Sequence, residues 1–376
     1  MTAKPEIERR YASIRSSMEK EGLEALVVAG TEYTGFDGAI AYVSGFKILH
    51  RYCYVLLPLE GEPTLVIPSE SRWNGDKGTS WLEDILFVDT PGEWLRNRCE
   101  DRSWRRIGVY GFDYVMAVRD YRALQGGSFE LVSFDEQFDL ACAVKSEDEL
   151  DSFRESMDII EDGFWALVES YEPGKTEAEI FAPAAARYIV RGTERHQMNI
   201  LLAGEDGELR PDFRLPLLRA VDTKDLLLYS MEIAGPRFHW VEFSRPLGTA
   251  PSPRTASLME AYEESGAIAL DVLREGVVAQ DAHRALGKPF VERGFKLGHL
   301  TGHSIGMVMI EHPRLGEGIE TVLRENMVLS IHPHAVSEDG RCCLYMQQNY
   351  RVGKDAGEML SKVPLRIFDG SERRDQ

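Results

Sequence analysis

The stretch from Gly298 to Pro313 reads G-H-L-T-G-H-S-I-G-M-V-M-I-E-H-P. It holds three histidines, three glycines and one glutamate. Glycines at this density let the backbone approach another group closely or turn sharply. Histidines at this density are typical of metal ligation or proton transfer. The stretch therefore predicts a functional site. The rest of the chain must indicate whether that site binds a metal or transfers protons.

One pattern inside the stretch points to a serine hydrolase. Residues 302–306 fit G-x-S-x-G, the turn that carries the nucleophile in many such enzymes. That turn needs a buried strand before it and a helix after it. The preceding residues 294–299 make a poor buried strand, because a lysine and two glycines interrupt them. A nucleophilic Ser304 is therefore the weaker of two interpretations.

A longer match gives the stronger interpretation. H-x-x-x-H-S-I-G followed by E-x-P resembles the H-x-x-G-H-G-I-G…H-E-x-P segment of the pita-bread metallopeptidase family. This family includes Xaa-Pro aminopeptidase, prolidase, methionine aminopeptidase, creatinase and a dimethylsulfoniopropionate lyase. The resemblance puts His303 on the family's metal-binding histidine and Glu311 and Pro313 on its E-x-P. Ile310 stands where the peptidases have a histidine that contacts the scissile group.

Composition limits the classes of function. The 376 residues suffice for two domains, and a hydrophobic content of 43% allows a well-buried core. A net charge of −19 argues against nucleic-acid binding, which needs a positive face. No apolar run approaches membrane-spanning length, and the first residues lack the apolar core of a signal peptide. We therefore expect a cytoplasmic protein with a small-molecule substrate and neither a nucleic-acid nor a membrane partner.

The five cysteines indicate no disulfide framework. None belongs to a C-x-x-C pair, so a zinc ribbon is not expected either. Of the adjacent Cys342 and Cys343, we expect one in the core and one at the surface.

Residues 1–143 alternate between helical and strand patterns, which predicts an α/β domain with a mixed sheet. A helix is expected over 7–21. Strands are expected over 23–29, 39–46, 52–59, 64–68, 85–88 and 106–110. Arg51 is either an exposed arginine or a substrate anchor that reaches into a neighbouring subunit's pocket.

The second domain begins near residue 144. Capping boxes at residues 146–149 and 176–179 open two helices. This run resembles the start of the family's catalytic domain, in which two helices pack on a curved sheet. The resemblance implies an α/β protein with a creatinase-type mixed-sheet domain over 1–143, a pita-bread domain over 144–376, and a homodimer.

Residues 225–246 predict a β-hairpin around Gly235 and Pro236 that brings Glu232 and Glu242 together. The segment resembles the D-x-D-x-x-G-P…V-D-x-S-R motif of the lyase branch, and aligns to it without a gap. The resemblance puts Glu232 and Glu242 at metal-ligand positions, while Ser230 stands in place of a carboxylate.

Two later segments complete the comparison with the family. His332 aligns with a fourth ligand that is normally Glu, and Gln347 aligns with the Glu that bridges two metals in the peptidases. Two close cations need anionic bridging ligands, so two metals are not expected here. One Zn²⁺, Fe²⁺ or Mn²⁺ held by Glu232, Glu242, His303 and His332 is one possibility. A metal-free site, in which these groups act as general acid and base, is the other.

The functional prediction is a small-molecule hydrolase or lyase that cleaves a C–N or related bond in a carboxylate-bearing substrate. Two alternatives are a divergent Xaa-Pro dipeptidase and a catalytically inactive binding module of the same fold. The predicted catalytic residues are Glu232, Glu242, His303 and His332. The predicted substrate contacts are Arg51, Arg210, His239, Glu311 and Gln347.

Overall fold

The computed structural model describes residues 2–73, 78 and 80–372. Internal contacts divide the chain into two compact units. The first comprises Met1–Ala143 and Gly306–Glu311, and the second Val144–Ile305 and His312–Gln376. The main boundary falls between Ala143 and Val144, and the short segment Gly306–Glu311 belongs to the first unit.

The first unit is built on one six-stranded mixed sheet, as the alternating pattern predicts. Its strand order is β4-β3-β2-β1-β5-β6, with β2 antiparallel to both of its neighbours and the other pairs parallel. The strands are β1 (Ala25–Thr31), β2 (Tyr52–Pro58), β3 (Thr64–Pro68), β4 (Asp84–Val88), β5 (Arg106–Tyr110) and β6 (Glu130–Ser133). The helices are α1 (Lys4–Lys20), α2 (Gly38–Ser44), α3 (Pro91–Asp101), α4 (Val118–Gln125) and α5 (Asp135–Cys142).

The strand expected over 39–46 is wrong, because these residues form helix α2. A short apolar run is compatible with a buried strand or a buried helical turn, and periodicity does not separate the two. Every residue of α2 is buried, so no polar face marks it as helical. Gly45 follows with a left-handed φ of 67° and donates its N–H to the carbonyl of Ala41, which ends the helix.

The second unit contains four long helices. Both predicted capping boxes are present, at the starts of α6 and α7. In each box the hydroxyl accepts from the backbone N–H three residues on, and that residue's Glu side chain accepts from the cap's own N–H. The helices are α6 (Glu147–Ser170), α7 (Glu177–Val190), α8 (Pro253–Val272) and α9 (Ala279–Glu292).

In the described part of the chain, the remaining strands form three sheets, and all their residues belong to the second unit except Glu311, the first residue of β13. In one, β8 pairs with β7, β9 and β10; in another the order is β11-β15-β16; in the third it is β13-β12-β14-β17-β18. The first six strands are β7 (Arg195–Glu205), β8 (Asp225–Ala234), β9 (Trp240–Phe243), β10 (Pro246–Leu247), β11 (Phe295–Leu297) and β12 (Gly302–Ser304). The others are β13 (Glu311–Leu315), β14 (Val328–Ile331), β15 (His334–Ser337), β16 (Cys343–Tyr345), β17 (Gln348–Arg351) and β18 (Glu358–Met359).

The predicted hairpin is confirmed as the antiparallel pair β8–β9, and helix α6 holds its turn. The Ser156 hydroxyl of α6 donates to the carbonyl of His239, at 2.9 Å. Gly235 packs so closely on Ser156 that a Cβ at this position would lie 2.2 Å from the Ser156 Oγ. Helix α6 therefore fixes where the two strands of the hairpin begin and end.

The burial of the two adjacent cysteines bears on one further expectation. Cys342 and Cys343 are both buried in one hydrophobic cluster, so the expected surface position for one of them is wrong. Among the described residues, no helix combines the length and the apolar character needed to cross a membrane.

The Gly235 contact gives a test of the hairpin packing. We expect Gly235→Ala to reduce the free energy of unfolding by about 1–3 kcal/mol, because the new Cβ overlaps Ser156. Gly204→Ala in β7 is the control, since its Cβ would lie 3.4 Å from the Leu209 side chain, an ordinary contact. Urea unfolding of both variants measures the difference, and equal stabilities would contradict the close contact.

Candidate functional site

The two glutamates of the hairpin are direct cross-strand partners. Glu232 in β8 lies opposite Glu242 in β9, and both side chains are buried. Like charges placed opposite each other in a sheet are unfavourable, and burial raises the cost of each charge. The pair therefore needs compensating hydrogen-bond donors.

Gln347 supplies those donors. Its amide nitrogen donates to Glu232 Oε1 at 3.0 Å and to Glu242 Oε2 at 3.1 Å. Its amide oxygen accepts from the Ser230 hydroxyl at 2.6 Å. A primary amide has two N–H groups, and each is used here by one glutamate. Gln347, which is fully buried between β16 and β17, thus ties the two carboxylates together.

Strands β14 and β17 also hold Glu242 in place. The Ser330 hydroxyl in β14 donates to Glu242 Oε2 at 2.6 Å. The side chain of Asn349 in β17 accepts from the backbone N–H of Glu242 and donates to its carbonyl, both at 3.0 Å. The position of Glu242 is therefore fixed through its backbone as well as through its carboxylate.

His303 faces the remaining oxygen of Glu242. Its Nδ1 lies 2.8 Å from the carbonyl of Ser304, which can only accept, so Nδ1 carries the proton in the neutral ring. Nε2 is then unprotonated and lies 3.5 Å from Glu242 Oε1. A proton or a cation between these two atoms would satisfy both.

The serine-hydrolase interpretation is wrong. Residues Gly302–Ser304 form strand β12, paired with β14, and no helix follows them up to residue 372, where the described part of the chain ends. Ser304 is buried, and its hydroxyl donates to the carbonyl of Val328. The backbone lacks the strand-to-helix turn that exposes a nucleophile.

His332 is the least satisfied polar side chain of the site. It is buried, and neither of its ring nitrogens has a hydrogen-bond partner in the described part of the chain. Its ring centre lies 4.9 Å from that of His303. Donor atoms of Glu242, His303 and His332 all lie within 4.8 Å of one another, so these three residues could hold a metal ion. Glu232, the fourth predicted ligand, is not in this group.

Burial shifts the pKa values of the site so that the uncharged form of each group is favoured. Burial, reinforced by the charge of Glu242, raises the pKa of Glu232 to about 7, and burial raises the pKa of Glu242 to about 7. Burial also lowers the pKa of His303, and burial with the neighbouring histidines lowers the pKa of His332 well below its ordinary value. At neutral pH, therefore, both imidazoles are uncharged and any shared proton lies on the carboxylates.

Three residues that are not among the predicted catalytic or substrate-contacting residues form a wall next to His332: His299, His334 and Tyr345. The ring of Tyr345 lies 5.2 Å from His332, 5.7 Å from His299 and 5.5 Å from His334, centre to centre. Burial lowers the pKa of both His299 and His334, the latter to about 4. The spacing H-x-H at 332–334 was the available signal for His334.

Two predicted substrate contacts of the second unit have different surroundings. Arg210 is exposed, and its guanidinium has no partner among the described residues. His239 is instead buried against α6, with Nδ1 2.8 Å from the Ser152 hydroxyl and Nε2 3.7 Å from Glu149 Oε1. The role of His239 toward a substrate remains a prediction, and the contacts that the structure shows for its ring are with α6.

The other two predicted contacts belong to the first unit. Glu311 is buried, and its Oε1 would lie 1.9 Å from a Cβ placed on Gly306. Arg51 is about half exposed and pairs with Glu70 at 2.9 Å. The roles of Glu311 and Arg51 toward a substrate remain predictions.

The raised pKa of Glu242 predicts a pH-dependent stability. Below its ordinary value of 4.5 the carboxyl is protonated in the folded and unfolded chains alike. As the pH rises to about 7 the unfolded chain loses the proton first, so the folded state is progressively destabilised. In chelator-treated protein, Glu242→Gln should gain about 1–3 kcal/mol of stability over the wild type between pH 5 and pH 8.

Urea unfolding at the two pH values measures this difference. Glu325→Gln, at an exposed position, serves as the control for the loss of one negative charge. An offset for Glu242→Gln that does not change with pH would contradict the raised pKa.

Known proteins resemble this chain over most of its length. Residues 151–354 match the family model of metallopeptidase family M24, and residues 10–141 match that of the creatinase/prolidase N-terminal domain. An Xaa-Pro dipeptidase of Pyrococcus horikoshii is 23% identical over 193 residues, which are 50% of this chain and 54% of that one. An Xaa-Pro dipeptidase of Pyrococcus furiosus is 21% identical over 72% of this chain and 77% of its own.

A relative with a different name aligns over more of the chain. The agropine synthesis cyclase of Rhizobium rhizogenes is 23% identical over 359 residues, covering 86% of this chain and 88% of that protein.

Solved structures show the same fold. The prolidase of Pyrococcus horikoshii superposes with a TM-score of 0.80 at 19% identity, covering 94% of this chain and 98% of that one. The X-Pro aminopeptidase of Thermotoga maritima gives a TM-score of 0.81 at 20% identity, covering 96% and 99%. The predicted creatinase-type and pita-bread domains are thereby confirmed. The chain belongs to metallopeptidase family M24 and is an enzyme, a hydrolase of the creatinase/prolidase-like superfamily.

Proposed function

We propose that this enzyme hydrolyses a C–N bond in a small, carboxylate-bearing molecule other than a peptide. The observation that carries the proposal is the Gln347 amide, which donates to Glu232 and Glu242 together. In the alignment with the family, Gln347 stands where the peptidases have a glutamate that bridges two metals. A neutral amide whose N–H groups face the carboxylates cannot bridge two cations.

The acid/base pair of the proposed reaction is Glu242 and His303. Glu242 Oε2 is occupied by Ser330 and Gln347, so Oε1, which faces His303 Nε2 at 3.5 Å, is the oxygen available for proton transfer. A carboxyl whose pKa is about 7 can both accept and return a proton at neutral pH.

In the proposed step, the pair removes a proton from water as the water oxygen bonds to the carbon of the scissile bond. The same proton is then delivered to the leaving nitrogen as the C–N bond breaks. Glu242, His303 and His332 also fit one divalent cation. When bound, the cation would be held by the groups that otherwise exchange the proton, and it would itself acidify the attacking water and polarise the scissile group.

Arg210 supports a substrate that carries a carboxylate. Its guanidinium is exposed and has no partner among the described residues, and arginine offers a planar fork to a carboxylate. Three residues later, Phe213 packs against His334 and Tyr345, with ring centres 5.3 and 5.2 Å away. The loop that bears Arg210 is therefore attached to the wall beside His332.

A second candidate function is that of an Xaa-Pro dipeptidase. It is favoured by the names of the two Pyrococcus relatives and by the prolidase fold. Against it stand Ser230, His332 and Gln347, none of which is a carboxylate. The agropine synthesis cyclase, which aligns over a larger share of the chain, is not named for peptide cleavage.

Substitution of the acid/base pair tests the mechanism. We expect Glu242→Gln and His303→Ala each to lower the turnover number by about 10²–10⁴-fold, because each removes proton transfer at the reacting bond. Circular dichroism should show an intact fold in both variants. His283→Ala, on α9, is the matched control and should retain activity. Wild-type turnover in Glu242→Gln would reject the assignment.

A substrate panel separates the two candidate functions. We expect lactams, cyclic amidines and ureido acids with a carboxylate to include substrates, and Xaa-Pro dipeptides to be cleaved poorly with or without added Zn²⁺ or Mn²⁺. Arg210→Met should raise KM for a carboxylate substrate by about 10-fold or more, since it removes a charge-assisted contact. Efficient metal-stimulated cleavage of Xaa-Pro dipeptides would reject the proposal in favour of the dipeptidase.

A further inference from the structure

We infer that the site binds a single divalent cation through Glu242, His303 and His332 alone. Ser230 and Gln347 keep Glu232 out of the coordination and close the position that a second cation would occupy. The inference rests on the proposed function and shares its residues: with the cation bound, Glu242 and His303 are its ligands, and the cation takes over the activation of water. It concerns the number of cations and their ligands, which can be measured without any substrate.

Both histidines present an unused nitrogen. The bond from His303 Nδ1 to the Ser304 carbonyl fixes the tautomer in which Nε2 has a free lone pair. Both nitrogens of the buried His332 lack a partner among the described residues. A buried imidazole without partners is unfavourable unless a ligand or a proton donor satisfies it. A cation shared with Glu242 would satisfy both rings at once.

One oxygen of Glu232 is already used by hydrogen bonds within the protein. Its Oε1 lies 2.9 Å from the Ser230 hydroxyl and accepts from Gln347 at 3.0 Å. Its donor atoms also lie outside the group formed by Glu242, His303 and His332. Although the hairpin pairs it directly with Glu242, Glu232 therefore serves as an acceptor for protein donors.

The amide N–H groups of Gln347 disfavour a second cation electrostatically. Its two N–H groups carry partial positive charge and point at the two carboxylates. Its oxygen, the only atom that could ligate a metal, accepts from Ser230 instead. A second cation would have to displace these bonds and lie against N–H hydrogens, without gaining a carboxylate from residue 230 or 347.

The donor set also indicates the class of cation. Two imidazoles and one carboxylate suit Zn²⁺ or Fe²⁺, whereas Mg²⁺ and Ca²⁺ prefer oxygen ligands. Three protein ligands leave coordination positions open for water or substrate.

The experiment compares two isosteric variants of the full-length chain. Protein stripped with chelator is loaded with Zn²⁺ or Co²⁺ and dialysed, and metal per chain is measured by elemental mass spectrometry. Binding is followed by calorimetry, and the Co²⁺ form by visible absorption. We expect about one ion per chain in the wild type and in Glu232→Gln. Glu242→Gln and His332→Ala should each weaken binding by at least about 10-fold.

The reverse substitution tests the role of Ser230 and Gln347. The double variant Ser230→Asp, Gln347→Glu restores carboxylates at both positions, and we expect it to bind about two ions per chain. Circular dichroism and thermal unfolding check that every variant is folded.

Several outcomes would overturn the inference. These are two ions in the wild type, no ion in the wild type, or equal loss of binding in Glu232→Gln and Glu242→Gln. Failure of the proposed function is seen separately, because cleavage of Xaa-Pro dipeptides by a protein with one ion would reject that function and leave the cation assignment intact.

Discussion

The site depends on one hydrogen-bonded amide placed between two buried carboxylates. Glu232 and Glu242 lie opposite each other in a hairpin, an arrangement that like charges disfavour. Gln347 makes it stable by donating one N–H to each of them. This works only if β9 and the segment between β16 and β17 keep their relative position, and Asn349 ensures that through two hydrogen bonds to the backbone of Glu242.

Much of this arrangement could be predicted from the sequence, because its signals are local or are carried by the family motif. The capping boxes of α6 and α7 lie within four residues each, and the Gly235 turn between two strand patterns fixes a hairpin. Alternation along the first 143 residues was enough to predict a mixed sheet. The resemblance predicted Glu232, Glu242, His303 and His332 as the candidate ligands, and the fold brings donor atoms of the last three within 4.8 Å of one another.

What the sequence could not supply depends on tertiary packing. Helix α2 is a short apolar run whose burial on all sides hides its periodicity. His239 follows the same turn that positions the glutamates, and only the packing of α6 shows that its ring contacts Ser152. Likewise, the choice of Glu232 as an acceptor for Gln347 depends on hydrogen bonds between residues more than a hundred positions apart.

The hydrogen bond between Ser230 and Gln347 limits which substitutions such a site can accept during evolution. A carboxylate introduced at position 230 alone would face the acceptor oxygen of Gln347. A carboxylate introduced at position 347 alone would remove the amide N–H groups that donate to the two glutamates. Either change leaves polar groups without partners in a buried network, which is destabilising. The two positions are therefore expected to change together. A small hydroxyl residue at 230 combined with glutamine at 347 would then serve as a marker in sequence databases, separating chains with this site from those that keep the paired carboxylates of the peptidases.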